Sequence, residues 1–256
     1  MSEHVLEVKN LKKVYGIHTA SEFEALHDIN FTCDNGEFIC IMGPSGSGKS
    51  TFINNISTID NPTSGKVYIQ GVEIRTMSSN EIGKFRYENL GFIFQDFNLL
   101  DTHTIYENIA MPLSLKKVKP ALIHDKIQQL AQSMNIDALL KKYPHECSGG
   151  QRQRAAICRA LVNDPKIIIA DEPTGNLDSV NSNELLKLLQ QLNQENGVTI
   201  IMVSHDSLIA SYSTRLIYIK DGLIEQTLER KDMTQEEYFQ RIVEINATQS
   251  KDVFHQ

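Results

Sequence analysis

Gly43-Pro44-Ser45-Gly46-Ser47-Gly48-Lys49-Ser50 follows the unbroken apolar run Phe38-Ile39-Cys40-Ile41-Met42 and leads into a helical pattern. The order is strand, glycine-rich loop, helix, and it matches G-x-x-x-x-G-K-[ST] in the setting that motif requires. Glycines let several backbone N–H groups turn toward one point. The helix start adds partial positive charge, so the segment is a preformed anion site. Lys49 supplies a full charge for the β- and γ-phosphates of a nucleotide, and the Ser50 hydroxyl suits Mg²⁺. Contact with the nucleotide is expected from Gly43 through Ser50 and on to Thr51.

Working outward, residues 6–15 and 31–42 read as strands, 49–59 as a helix and 66–70 as a strand. Residues 166–171, 198–203, 216–219 and 223–227 are further strands, with a helix over 183–195 and a turn at Asp221-Gly222. Such alternation indicates an α/β fold with a largely parallel central sheet. Between about 85 and 161 the texture is helical, with helices expected over 105–115, 121–134 and 151–161 and Pro120 suited to a first helical position. This stretch reads as a helical lobe inserted in the core. The tail from 230 to 256 begins with a capping-box sequence, Thr234-Gln235-Glu236-Glu237. Tyr238, Phe239, Ile242, Val243 and Ile245 then share a helix face, and residues 250–256 are expected to fray.

The strand over 166–171 ends in Asp171 and is followed by Glu172. Asp171 is the candidate Mg²⁺ ligand, directly or through water. On an extended chain Glu172 would point the other way, which frees it to polarise the attacking water. Gln95, after the strand-like residues 90–94, and His205, in Val203-Ser204-His205-Asp206, are polar groups at strand ends.

The 256 residues carry 25 Lys and Arg against 32 Asp and Glu, a net charge of −7, which argues against coating nucleic acid. No apolar run approaches the ~18 residues of a membrane span. The first residues, Met1-Ser2-Glu3-His4, lack a signal-peptide pattern, so a cytosolic protein is expected. The four cysteines form no CxxC pair and are read as reduced thiols.

Cys147-Ser148-Gly149-Gly150-Gln151 opens a second helix, where Ser148 can cap and the glycines admit a ligand to the helix start. One terminal phosphate needs one cradle, so a second anion site on the same chain points to a head-to-tail dimer. This run resembles the signature of ABC ATPases, usually Leu-Ser-Gly-Gly-Gln, with Cys147 in the place of Leu. The resemblance extends over nearly the whole chain to about residue 229. It implies a P-loop NTPase core with antiparallel β elements and the inserted lobe, over residues 1–229. It makes residues 166–171 similar to a Walker B strand and Tyr15 the aromatic that stacks on adenine. Gln95 becomes the Q-loop glutamine, which also reaches the metal; Gly175-Asn176-Leu177-Asp178 is similar to the D-loop, and His205 to the switch histidine. Ser148, Gly149, Gly150 and Gln151 would close on ATP held by the other subunit.

The runs over 172–179 and 91–100 look like the lipoprotein-release and macrolide-export group, and Tyr238-Phe239-Gln240 like ATPases of peptide-resistance exporters. The implied protein is an ATPase using ATP and Mg²⁺, peripheral on the cytoplasmic face of the membrane. Its partners are a second copy of itself and a membrane permease; Phe97, Leu99, Leu100 and Tyr106 read either as the dock for a cytoplasmic helix of that permease or as ordinary core of the lobe. Rival readings are a lipoprotein-release or cell-division ATPase and a soluble ABC ATPase of repair or translation. The latter types carry long coiled coils, zinc insertions or paired cassettes, and none of these appears in the sequence.

Overall fold

A computed structural model describes residues 4–116 and 118–251. In chain order come β1 (Leu6–Tyr15), β2 (Phe23–Cys33), β3 (Phe38–Met42), α1 (Lys49–Ile56), β4 (Ser64–Ile69) and β5 (Val72–Glu73). Next are α2 (Ser79–Asn89), β6 (Leu90–Phe94), α3 (Ile105–Leu115), α4 (Pro120–Ser133), α5 (Gly149–Leu161) and β7 (Ile167–Asp171). The chain continues through α6 (Ser179–Asn196), β8 (Thr199–Val203), α7 (Ser207–Ala210), β9 (Arg215–Lys220), β10 (Leu223–Glu229) and α8 (Gln235–Lys251). Two compact units result: Met1–Ser78 with Leu186–Gln256, and Ser79–Leu185.

In the first unit β3 lies parallel to both β8 and β9, with Phe38 opposite Ile200 and Ile41 opposite Val203. Every residue of β3 and β8 is buried. Parallel strands covered on both faces read as continuous apolar runs, which is why Phe38-Ile39-Cys40-Ile41-Met42 shows no alternation. β10 closes the edge antiparallel to β9 and is mostly exposed. Glu225 and Glu229 keep such an edge soluble. A second sheet runs β2-β1-β4-β5, all antiparallel. Leu6 pairs with Cys33 on one side and Ile69 on the other, and all three are fully buried.

The stretch expected as strand over 31–42 is broken at Asp34–Glu37, where Glu37 N–H donates to the Asp34 carbonyl and its carboxylate accepts from Asp34 N–H. The preceding strand begins earlier than expected, at Phe23. Helix α1 stops at Ile56, short of 59, because Thr58 turns into the left-handed region at φ 63°. α8 starts on a capping box between Thr234 and Glu237 and buries Tyr238, Ile242 and Ile245. Val243 is exposed. The expected fraying falls mostly on residues 252–256, which lie outside the described residues.

In the second unit β6 and β7 pair in parallel from Leu90 opposite Ile167 to Phe94 opposite Asp171. α5 packs closely on β6: a Cβ at Gly91 would stand 2.6 Å from the Ala160 carbonyl oxygen. Fully buried Asn108 on α3 donates to the carbonyls of Leu100, His103 and Thr104 and accepts from Leu100 N–H. A single side chain thereby fixes the loop after β6. The α/β reading with a parallel core and antiparallel additions agrees with this architecture.

Candidate functional site

The cradle grows directly out of β3. Gly43 takes φ 150°, and a Cβ there would run into the Ile219 carbonyl oxygen of β9. Gly48, at φ 102°, is the N-cap of α1, where a Cβ would approach the Ala25 carbonyl to 2.7 Å. Only glycine fits at either place, so the chain can turn sharply between a buried strand and a helix start. Lys49 is buried, and its ammonium donates to the carbonyls of Gly43 at 2.9 Å and Pro44 at 2.7 Å. The loop therefore holds its own cation in place. Ser47 is 2% exposed and its hydroxyl has no protein partner, an orphan polar atom inside the cradle.

The register of β3 and β8 brings His205 to this end of the sheet. Val203 is level with Ile41 at the last pair of the two strands, and Ser204 and His205 follow it as Met42 and Gly43 follow Ile41. Buried Ser204 anchors the turn: its N–H donates to the Ile41 carbonyl, and its hydroxyl accepts from Asp206 N–H. Asp206 then caps α7. His205 itself is exposed.

Tyr15 stands at the end of β1, 40% exposed. Its hydroxyl donates to Asp60 at 3.0 Å and also meets the Thr51 side chain of α1. Burial pushes the phenol up, so it stays protonated at neutral pH. Two of its neighbours, Lys13 and Asp60, belong to none of the sequence motifs. Lys13 was legible all the same, since alternation puts residue 13 on the face of residue 15. Asp60, in the loop after α1, gave no signal.

In the second unit Phe94 pairs with Asp171, and Gln95 and Glu172 follow them directly in the chain. Both chains leave the sheet there. β7 ends at Asp171, and Glu172 takes a left-handed φ of 43°. The extended chain on which alternation would set Glu172 opposite Asp171 thus ends at Asp171, and Glu172 sits in a backbone turn. For a non-glycine residue that conformation is uncommon, and it persists only where neighbours impose it. Here Gly175 N–H donates to the Glu172 carbonyl and the buried Gln153 amide donates to the Pro173 carbonyl. Gly175 packs against Gln95, and Asn176 donates to the Gln95 carbonyl and to Asp96 at 2.6 Å. Gln95, Glu172 and Gly175-Asn176 thus form one cluster.

α5 begins with a reciprocal capping box. Gln151 N–H donates to the Ser148 hydroxyl at 3.3 Å, and Ser148 N–H donates to the Gln151 side chain at 3.0 Å. Cys147 is buried, filling the apolar place, and burial pushes its thiol up. On the other side of α5, Arg159 donates to the carbonyls of Phe97 and Asn98, both left-handed, and the Arg152 guanidinium lies over the Phe97 ring. Phe97 is therefore packed under α5, and Tyr106 lies against His124. An open groove of about 370 Å³ adjoins the Phe97-Asn98 turn, lined among others by Phe92, Phe94, Asn98, Met111, Leu115 and Arg159.

A family model described as ABC transporter matches residues 26–175. The ABC transporter ATP-binding protein YxdL of Bacillus subtilis is 46% identical over 242 residues, 94% of this chain and 93% of that one. The bacitracin export ATP-binding protein BceA of Halalkalibacterium halodurans is 45% identical over 239 residues, 93% of this chain and 94% of that protein. Among solved structures, an ATP-binding cassette of Methanocaldococcus jannaschii, dimeric in a post-hydrolysis state with ADP and phosphate, has a TM-score of 0.81. It is 38% identical and covers 89% of this chain and all of its own.

Proposed function

Since the chain belongs to the ABC transporter family as an ATP-binding, ATP-hydrolysing subunit, we propose that two copies close head to tail around ATP and power a membrane permease that removes antimicrobial peptides. One observation carries the dimer: the chain holds two glycine-lined helix starts, at α1 and α5, where one terminal phosphate needs one cradle. The M. jannaschii cassette, similar over 89% of this chain, was solved as a dimer. Similarity to the bacitracin export protein over nearly the full length supports peptides as the cargo.

In this reading Gly43, Pro44, Ser45, Gly46, Ser47, Gly48, Lys49, Ser50 and Thr51 hold the phosphates, with the base on Tyr15. Ser148, Gly149, Gly150 and Gln151 come from the other subunit. Ser50, Gln95 and Asp171 present one hydroxyl, one amide and one carboxylate, an all-oxygen donor set suited to Mg²⁺ beside nucleotide phosphates. The bound ion would neutralise charge on the transferring phosphoryl group. Glu172, set by its left-handed turn, accepts the proton of the attacking water, and His205 donates to the γ-phosphate.

Among the described residues no helix is long and apolar enough to cross a membrane. Association is with the permease, on its cytoplasmic side. The groove lined by Phe92, Phe94, Met111 and Leu115 takes a short helix of that partner. Phe94 lines the groove and Gln95 follows it directly, so movement of the helix reaches the Gln95–Glu172 cluster.

Replacing Glu172 by Gln removes the proton acceptor and keeps the phosphate grip. Turnover falls by about 10²–10⁴-fold, ATP stays bound, and a dimer accumulates by size-exclusion chromatography with light scattering. A Glu172→Gln chain that hydrolyses ATP at the unaltered rate would remove Glu172 from this role.

A further inference from the structure

Around Tyr15 the structure holds a side-chain arrangement that nucleotide binding alone does not require. Lys13 is buried although it is a lysine, and its ammonium has three partners. It donates to Asp60 at 2.7 Å and to the Asn61 carbonyl at 2.8 Å, and it lies 4.8 Å from the centre of the Tyr15 ring. Asp60 accepts from the Tyr15 hydroxyl with its other oxygen. A carboxylate therefore holds the rim of the ring while a cation covers one of its faces.

We propose that Lys13 and Asp60 form a positioning clamp that fixes the Tyr15 ring and confines an adenine base to the face Lys13 leaves open. The inference rests on the reading of Tyr15 as the base-stacking residue. Neither Lys13 nor Asp60 touches the nucleotide; both act through Tyr15.

The physics favours a clamp over a chance surface ion pair. An exposed pair loses most of its attraction to water and salt. Lys13 is withdrawn from solvent, and a desolvated cation over an aromatic face is worth more than an exposed one. Burial tends to push the Asp60 carboxyl up, and hydrogen bonds from Lys13 and Tyr15 outweigh this and hold it below the ordinary carboxylate range. The carboxylate is thus ionised, and the clamp assembled, at neutral pH. Neighbouring bonds immobilise the frame, since Val14 N–H donates to Thr63 and Thr63 N–H to the Lys12 carbonyl. A ring fixed before the nucleotide arrives loses less rotamer freedom on binding.

The clamp acts on the base and leaves the phosphates alone, so the test compares ATP with inorganic tripolyphosphate, which has no base. Full-length Lys13→Met keeps the apolar stem and loses the charge. It is expected to weaken ATP about three- to tenfold while tripolyphosphate binds as before, both by calorimetry. Lys13→Arg, which keeps a cation for Asp60 and for the ring, restores the ATP affinity. Equal weakening of both ligands by Lys13→Met, or failure of Arg to rescue, overturns the clamp and makes Lys13 a support of the fold. Tyr15→Ala separates this result from the reading beneath it: unchanged ATP affinity there removes Tyr15 as the base-stacking residue, and the clamp falls with it. The chain has no tryptophan, so Tyr15→Trp adds a single fluorophore whose quenching by ATP reports stacking. In the Lys13→Met background half-quenching is expected at about three- to tenfold higher ATP, and an unchanged midpoint contradicts the clamp.

Discussion

The two glycine-lined helix starts are built alike and finished differently. α1 begins at Gly48, which has no side chain to cap the helix. α5 begins at Ser148, whose hydroxyl and backbone are both engaged with Gln151. The first four N–H groups of any helix need partners from outside it. At α1 the loop instead brings a buried lysine, and in the proposed reading a phosphate completes the start. At α5 the box takes up the N–H of Gln151 and not those of Gly149 and Gly150. One site is made to bind by itself. The other is already stable and presents its two glycines to something that arrives later.

That contrast can be broken from the α1 side first. Lys49→Ala removes a cation from a site built around it, and a hydrogen bond to a charged group contributes about 1.5–3 kcal/mol. ATP affinity should fall about 10–100-fold in the isolated chain, measured by calorimetry. Loss of turnover with full ATP affinity would shift the binding role away from Lys49.

The α5 side gives a smaller and different effect. Ser148→Ala removes the cap and should cost about 0.5–2 kcal/mol of stability, seen as a lowered midpoint of thermal unfolding. ATP binding to the single chain should not change, while turnover should drop because the partner's phosphate loses a contact. A Ser148→Ala chain with weakened monomeric ATP binding would make the two helix starts equivalent and sink the contrast.

Much of this was legible in the sequence because the signals are local. The run Phe38-Ile39-Cys40-Ile41-Met42 shows no alternation since β3 is buried on both faces, and Gly43 and Gly48 after it stand where a Cβ would clash. Ser148 and Gln151 stand three apart before a helical run, which is a capping box on paper as well as in space. What escaped depends on partners distant in the chain. α2 offers no apolar stripe and buries no residue, so periodicity is silent there. The start of β2 at Phe23 is set by pairing with Tyr15 and not by its own pattern. The left-handed turn at Glu172 follows from Gly175 and Gln153, and the place of Asp60 from a loop that meets β1 47 residues earlier. For Phe97 the sequence leaves docking and lobe core open, and its burial beneath Arg152 depends on a partner 55 residues along the chain.

Mixing two defective chains tests the shared site most directly. One carries Lys49→Ala, with a broken cradle and an intact Ser148 turn; the other carries Ser148→Arg, with the cradle intact and the turn blocked. Each alone should have little ATPase activity. If each phosphate is gripped by helix starts from opposite chains, a mixed pair contains one complete site, and activity returns on mixing with the permease present. Should the mixture stay as inactive as its parts, the two helix starts do not meet across a pair of chains, and no shared site exists.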